Sequence, residues 1–290
     1  MRLAASQVWP DLTGMNRSWS HHGFAAALLV GVVVLGACGQ RRPASAAQPA
    51  ASAGGYLAAP TLTAAGREAD GGVHLIGQAP PDARIALRSP DGARFETHSG
   101  PTGAWSLDIP AAPAPRLFAF EAATASQTVR GEGAMAVMPD PLVPALILRA
   151  GYAAAPSGKA PAGLQLVSFD CDGGGAAAGG FAPPGSPVRM SIDGAIVGLS
   201  KADAQGRFAI LAIDPRRGVP AGRHTLRIDT PQSLAIERQI EVKAPDIAPD
   251  KAFDASRFDG GWTLSWRLPG GGAQSSMVFD SASATAGAAR

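Results

Sequence analysis

One phrase occurs twice in this chain and constrains its fold more than any other feature. Residues 77–87 read GQAPPDARIAL, and residues 180–190 read GFAPPGSPVRM. Each copy begins with Gly, carries Ala-Pro-Pro at the same offset, and then alternates apolar with polar residues. Because alternation with a period of two is typical of a strand that buries one face, the repeated phrase predicts a duplicated β-domain.

The match between the two copies continues across residues 59–140 and 161–246. Short alternating segments with turn signals about every 8–12 residues predict two antiparallel β-sandwiches. Trp105 and Phe208 fall at matching positions, and we expect them to be equivalent core residues. The segment between the copies, residues 141–160, is predicted to be a linker, so that each sandwich folds independently. The matched turns are Asp70-Gly71-Gly72 with Asp172-Gly173-Gly174, Asp91-Gly92 with Asp193-Gly194, and Gly103 with Gly206.

This turn pattern resembles that of the bacterial immunoglobulin-like domains of envelope and surface proteins. Their pattern runs Gly-x-Ala-x-Pro-Gly, then Asp-Gly, then an Asp-x-x-Gly turn before an aromatic strand. The first copy departs from it at Asp82, where the family prefers Gly, and lacks the acidic residue before Gly103. Carboxypeptidase regulatory-like sandwiches share much of the pattern. The resemblance implies the fold and says little about function. In the second copy the pattern reads Gly180, Ala182, Pro184-Gly185, Asp193-Gly194, Asp203, Gly206 and Phe208.

The first 37 residues are predicted to be a signal peptide. Residues 23–37 are apolar, and a run of this length is shorter than the roughly 20 residues that span a bilayer, as in a secretory signal. The run ends in Leu35-Gly36-Ala37-Cys38, which resembles the bacterial lipobox. An uncleaved anchor or an ordinary secretory signal is the alternative.

The lipobox resemblance implies that Cys38 takes a diacylglycerol, that the chain is cut before it, and that its new amine is acylated, for example with palmitate. Gly39 stands where Asp would retain a lipoprotein at the inner membrane, so the same resemblance points to the outer membrane. Residues 38–58 are rich in Ala, Pro and Ser and predict a flexible tether. The sequence therefore predicts a lipid-anchored protein of the cell envelope, with the lipid bilayer as a partner.

Residues 247–290 are predicted to form a linker, a β-hairpin and a disordered tail. Four apolar residues share one face of the first hairpin strand: Trp262, Leu264, Trp266 and Leu268. Since an isolated hairpin is marginally stable in water, we expect this face to pack on the second sandwich or on residues 142–148. The alternative is a docking face for a partner, with Trp262, Trp266 and Arg267 as binding residues.

The sequence contains no arrangement typical of a catalytic, cofactor or metal site. His74, His98 and His224 are isolated and lack metal-ligand spacing. Cys171 lies in the sequence Asp170-Cys171-Asp172, which could suggest a calcium loop or a redox thiol, but the first copy has a plain turn there. We therefore predict a turn, and no enzyme. The net charge of +2, with its arginines scattered, excludes a nucleic-acid partner.

Together these features predict a non-enzymatic envelope lipoprotein that presents tandem Ig-like domains. Its role would be structural or in protein interaction, with another envelope protein or a cell-wall glycan as the partner. The alternative is a peptidoglycan- or polysaccharide-binding lipoprotein that uses Trp262 and Trp266.

Overall fold

The computed structural model describes residues 57–140, 142–158, 160–171, 175–212, 218–231, 234–268 and 270–280. Within these ranges every regular element is a β-strand, and all paired strands are antiparallel. The predicted signal peptide, and the predicted tether as far as residue 56, lie outside the described residues.

The strands follow one another with short connections along the whole described chain. The first copy contains β1 (Thr61–Arg67), β2 (Val73–Gln78), β3 (Arg84–Arg88), β4 (Arg94–His98), β5 (Ala104–Ile109), β6 (Arg116–Ala123), β7 (Thr128–Arg130) and β8 (Ala134–Val137). The next segment adds β9 (Ala145–Leu148) and β10 (Ala155–Ser157). The second copy contains β11 (Gln165–Cys171), β12 (Ala176–Phe181), β13 (Pro187–Ile192), β14 (Ala195–Lys201), β15 (Arg207–Leu211), β16 (Gly222–Asp229) and β17 (Ala235–Val242). The C-terminal strands are β18 (Phe253–Phe258), β19 (Gly261–Arg267) and β20 (Ala273–Phe279).

The first sandwich packs a three-stranded sheet against a seven-stranded one. The small sheet has the order β1-β2-β5, and the large one has the order β10-β9-β8-β6-β3-β4, with β7 paired to β6. Alternate residues of both sheets point into the core between them. Trp105 from β5 and Phe118 from β6 are both buried in this core.

The second sandwich packs a six-stranded sheet against a four-stranded one. The six strands have the order β15-β12-β11-β20-β19-β18, and the four have the order β14-β13-β16-β17. The predicted C-terminal hairpin is β19 with β20, and it extends the six-stranded sheet through β20, which pairs with β11. The predicted fold class is confirmed for the described residues, which are all-β and form two tandem antiparallel β-sandwiches with a C-terminal hairpin.

The repeated phrase begins with Gly because an aromatic ring lies against that position in both copies. Gly77 pairs with Trp105, and Gly180 pairs with Phe208. A Cβ atom at Gly77 would lie 2.2 Å from the indole of Trp105, and one at Gly180 would lie 2.8 Å from the ring of Phe208. Both rings are buried. The prediction that Trp105 and Phe208 are equivalent core residues is confirmed.

The segment predicted to be a linker contributes two strands and much of a third apolar cluster. β9 and β10 lie beside β8 at one edge of the large first sheet. One face of these strands meets the second sandwich, so the six-stranded sheet has apolar residues packed on both of its faces. We call this third group the junction cluster. Its buried members are Leu117, Ala136, Met138, Val143, Leu146, Leu148, Ala154, Val167, Phe181, Leu264, Trp266 and Val278.

Candidate functional site

The predicted binding residues of the hairpin lie at the junction of the two sandwiches. Trp266 is only 4% exposed and Leu264 is fully buried, both within the junction cluster. Trp262 and Leu268 are half-buried and pack against the same cluster. The apolar face of the hairpin therefore packs inside the protein, against Leu146 and Leu148 among others. This agrees with the expectation that it packs on residues 142–148.

The structure does not place Trp262, Trp266 and Arg267 on one accessible surface. The Trp262 ring is half-buried, and the guanidinium carbon of Arg257 lies 5.3 Å from its centroid. Arg267 is exposed, and its guanidinium donates to the backbone carbonyls of Lys251 at 2.8 Å and Ala248 at 3.0 Å. A glycan-binding platform needs exposed aromatic faces, and Trp266 is buried. Trp262 and Trp266 therefore do not form the exposed stacking pair that the sequence suggested as the alternative.

At one end of the junction cluster lies the buried carboxylate of Asp170, which the sequence suggested as part of a calcium loop and not as part of a buried polar network. Asp170 on β11 accepts hydrogen bonds from the Ala154 amide at 2.9 Å, from the Ser276 hydroxyl, and from the Gln274 side chain at 3.4 Å. Gln274 in turn accepts a hydrogen bond from the Gly151 amide at 3.0 Å. This network connects the segment between the two copies to β11 and to the hairpin.

Burial dominates the ionisation of this carboxylate. Removal from water raises the pKa of Asp170 to about 6, because desolvation of the charged form outweighs the hydrogen bonds from Ser276, Ala154, Ser168 and Gln274 that lower it. A pocket of about 190 Å³ lies beside the network, and Tyr152 and Leu211 form part of its lining.

The predicted turn at Cys171 falls next to this pocket. Cys171 is buried on β11, while Asp172 and the two glycines after it lie outside the described residues. In the described part of the chain, no group of three or more potential ligands is placed to hold a metal ion.

Two histidines each contact one carboxylate. The Nδ1 atom of His74 lies 2.5 Å from Asp108, and that of His224 lies 2.7 Å from Asp193. The hydrogen bond with Asp193 raises the pKa of His224, and the same contact lowers the pKa of Asp193. The second ring nitrogen of His224 lies 2.8 Å from the Pro220 carbonyl oxygen. Both ring nitrogens of His224 on β16 are thus engaged with the protein, which holds the ring against Asp193 in the turn between β13 and β14.

The predicted lipidation site, Cys38, lies outside the described residues. The described ranges include no helix with the length and hydropathy needed to cross a membrane.

No protein-family model matches the chain, and no curated protein matches it. Three solved structures show a remote likeness to it. The first is a biofilm associated protein, BSP domain: 13% identity, 66% of this chain and 30% of that one, TM-score 0.23. The second is the central fibronectin-III array of RIM-binding protein: 13% identity, 72% of this chain and 79% of that one, TM-score 0.24. The third is a Ca²⁺-stabilized adhesin that helps an Antarctic bacterium bind ice: 15% identity, 74% of this chain and 59% of that one, TM-score 0.21. The chain thus spans less than a third of the first of these proteins, and at such TM-scores the likenesses carry no argument.

The junction carries a polar network that sequence reasoning missed. Asp170 occupies a strand position between buried neighbours, in a strand buried along its whole length. A carboxylate in such a strand costs stability unless several donors surround it, so its presence was a signal for a polar network. Its partners Gln274 and Ser276 come from a distant part of the sequence, and periodicity could not pair them with Asp170.

Proposed function

We propose that the protein is a non-enzymatic, lipid-anchored component of the bacterial cell envelope that presents two Ig-like sandwiches as one body. The observation that carries this proposal is the junction cluster. Because the linking strands and the hairpin pack between the sandwiches, the two domains are held in one arrangement instead of swinging on a linker. Such a unit suits a structural or protein-interaction role, in which surfaces of both domains face a partner together.

The proposed anchor depends on residues 35–38, which resemble a lipobox. Acylation at Cys38, followed by the predicted tether of residues 38–58, would hold the sandwiches at a distance from the membrane. Several acyl chains bind a bilayer far more firmly than one, so the anchored protein would stay in the membrane fraction. The outer membrane is the proposed location because Gly39 follows the acylated residue.

Labelling with radioactive palmitate tests the anchor. The wild-type protein should incorporate label and sediment with outer-membrane vesicles, and Cys38→Ser should do neither, because serine offers no thiol to the acyl transferase. Cys171→Ser is the matched control, since it removes the other cysteine of the mature chain and should keep the label. Equal label in wild type and Cys38→Ser would refute the lipid anchor.

The interaction role is tested separately by crosslinking in intact cells. A partner captured by the wild-type protein should be captured less by the full-length anchored variant Trp266→Ala, at a temperature where this variant is still folded, if the role needs both domains in fixed positions. Capture by Trp266→Ala at the wild-type yield under those conditions would contradict a role that depends on the junction.

A further inference from the structure

A concave pocket of about 460 Å³ lies between the first sandwich and the C-terminal strands. Leu117 and Phe120 on β6 line one side, and Trp266 with Arg267 on β19 line the other. Its volume falls in the range of about 300–1,000 Å³ that is common for small-molecule sites, and such sites often lie between domains.

Three arginines and no carboxylate stand among the described residues that line this pocket. Arg130 ends β7, Arg149 follows β9, and Arg267 ends β19, so the three cations come from separate parts of the fold. Arg267 is held in place by backbone carbonyls. Glu132 lies 3.6 Å from Arg149, in a pair whose side chains are both well exposed, and such a pair neutralises little.

Two of the lining residues also carry buried hydrogen-bond donors that lack acceptors. The Nε atom of Arg149 and the Nε1 atom of Trp266 are buried and have no acceptor in the described part of the chain. Buried donors without acceptors cost stability. A pocket with three arginines and no carboxylate among its described lining residues is electrostatically complementary to an anion.

The rest of the lining is apolar. Leu117 and Phe120 are buried, and Ala119 and Ala134 complete the floor beside Trp266. We propose that this pocket binds a small amphipathic anion, namely a carboxylate or phosphate group on a short apolar body. The apolar body lies on the floor between the sandwiches, and the anionic group faces the three arginines at the rim. The concave shape selects a discrete small ligand over the flat surface of a bilayer.

Titration of the full chain with four matched probes tests the proposal. The probes are octanoate, octyl phosphate, octylammonium and inorganic phosphate, each below any micellar concentration. Binding is followed by the indole N–H signal of Trp266 in ¹⁵N-labelled protein, assigned with Trp266→Phe. Octanoate or octyl phosphate should shift this signal with saturation, and added salt should weaken the binding because it screens the arginines. Whichever of the two binds more tightly identifies the anionic group.

Two variants separate the contribution of charge from that of shape. Arg130→Gln should weaken binding of the better anion about tenfold, and Ala119→Phe should block the pocket without changing the net charge. Arg223→Gln on β16 is the matched control, because it removes an exposed arginine outside the pocket and should leave the affinity unchanged.

Three results would overturn the proposal. Octylammonium binding as tightly as octanoate would exclude selection by charge, and inorganic phosphate binding as tightly as octyl phosphate would exclude the apolar floor. Equal loss of affinity in Arg130→Gln and Arg223→Gln would reduce the effect to the overall charge of the protein. Because none of these measurements depends on Cys38 or on a protein partner, they do not bear on the envelope proposal above.

Discussion

The repeated phrase starts near the end of β2 in the first copy and near the end of β12 in the second. These two strands differ in how much of their surface is buried. In the first copy, β2 alternates between buried and more exposed residues, so one of its faces remains open. In the second copy, β11 and β12 are buried along their whole length. In the first copy the outer face of the sheet remains exposed to solvent, and in the second copy other strands cover the corresponding face.

A single pair of equivalent residues illustrates this difference. Ile76 on β2 is 42% exposed, and the residue at the same place in β12 is Gly179. A Cβ atom at Gly179 would lie 2.7 Å from the carbonyl oxygen of Ala154 and 3.3 Å from the side chain of Ala153. The linking segment therefore passes directly over this position. A side chain like that of Ile76 would prevent the approach, so this position of the second copy requires glycine.

Separating the two copies should produce the largest effect on stability. Residues 161–290 alone would expose one face of the six-stranded sheet, including Val167, Phe181, Leu264 and Trp266. Each large apolar side chain gains about 1.5–3 kcal/mol from burial, so the loss should exceed about 5 kcal/mol. We expect this fragment to be unfolded or aggregated under conditions where the full chain melts cooperatively, as followed by circular dichroism.

This expectation differs from the independent folding that the duplication predicts. A fragment of residues 161–290 that melts as it does in the full chain would show that the second copy folds without the junction. The two copies would then be separate domains. A fragment of residues 59–160 is the reciprocal control, because it retains β9 and β10 and exposes less of its own core.

Truncating the central aromatic residue of the junction should give the next largest effect. Trp266→Ala removes a buried indole and leaves a cavity, which costs about 3–5 kcal/mol. We expect a single, lowered melting transition for the full chain, because both sandwiches contact this residue through the junction cluster. Trp262→Ala is the control, and its half-buried ring should matter much less. A Trp266→Ala variant that melts like the parent would mean that the hairpin contributes little to stability.

Sequence reasoning predicted the local features of this comparison well. The strands, the turns and the equivalence of Trp105 and Phe208 follow from alternation, glycine positions and spacing, which are all encoded within one copy. The apolar face of the hairpin was also expected to pack within the protein. The junction could not be predicted to the same extent, because it depends on β9 and β10 pairing with the first sandwich while the hairpin joins the second. The pairing of β9 with β8 is local, but the pairing of β20 with β11 and the packing between the linking segment and the hairpin join residues far apart in sequence. Local periodicity carries no information on these distant contacts.

The candidate sites were likewise predictable only in their local features. The stripe containing Trp266 was visible in the sequence, but whether an aromatic stripe faces a ligand or a core depends on what covers it. The network around Asp170 and the three arginines of the pocket come from separate strands, so neither set forms a motif along the chain.

The buried carboxylate of Asp170 gives the junction a pH dependence. Its pKa is about 6 in the folded protein, above the value of about 3.9 for an exposed Asp. The folded state therefore binds the proton more tightly than the unfolded state, and stability should increase as the pH falls from 7 to 4.5. The full difference corresponds to roughly 3 kcal/mol.

Asp170→Asn should remove this dependence. Urea unfolding at pH 7.0 and pH 5.0 should show the wild type gaining stability on acidification, and the variant should gain much less. His224, whose pKa is also raised, contributes equally to both proteins and cancels in the comparison. Asp91→Asn is the control: hydrogen bonds from the Ser89 side chain and the Ala93 amide lower the pKa of Asp91, so Asp91 stays ionised between pH 7.0 and 5.0 and this variant should retain the wild-type slope. Equal slopes in the wild type and Asp170→Asn would contradict a buried, titrating carboxylate.

The first glycine of the repeated phrase tests whether the two cores are equally tight. Gly77→Ala and Gly180→Ala each place a Cβ atom 2.1 Å from a backbone carbonyl oxygen, but the aromatic ring lies closer at Gly77. Overpacking typically costs about 1–3 kcal/mol. We expect both variants to be destabilised, and Gly77→Ala more so. Gly66→Ala, where a Cβ atom meets nothing within 4 Å, should be harmless, and a cost as large there would show that loss of glycine as such is responsible.

The smallest expected effect concerns a turn at which the two copies differ in sequence and agree in backbone. Asp82 has a φ of 54°, and Gly185 at the equivalent place has a φ of 75°. Since a left-handed backbone strains a residue with a side chain, Asp82→Gly should stabilise the protein by up to about 1 kcal/mol, and Gly185→Asp should destabilise it by a similar amount. Asp193, at a φ of 51°, provides the contrast, because its carboxylate accepts from the Thr225 amide at 2.8 Å and contacts His224. Asp193→Gly should therefore destabilise the protein, as the lost hydrogen bonds outweigh the relief of strain. Urea midpoints of the three variants test these expectations. If Asp82→Gly destabilises the protein as much as Asp193→Gly does, the Asp82 side chain stabilises its turn. The aspartate in place of glycine would then increase the stability of the first copy, despite the backbone strain.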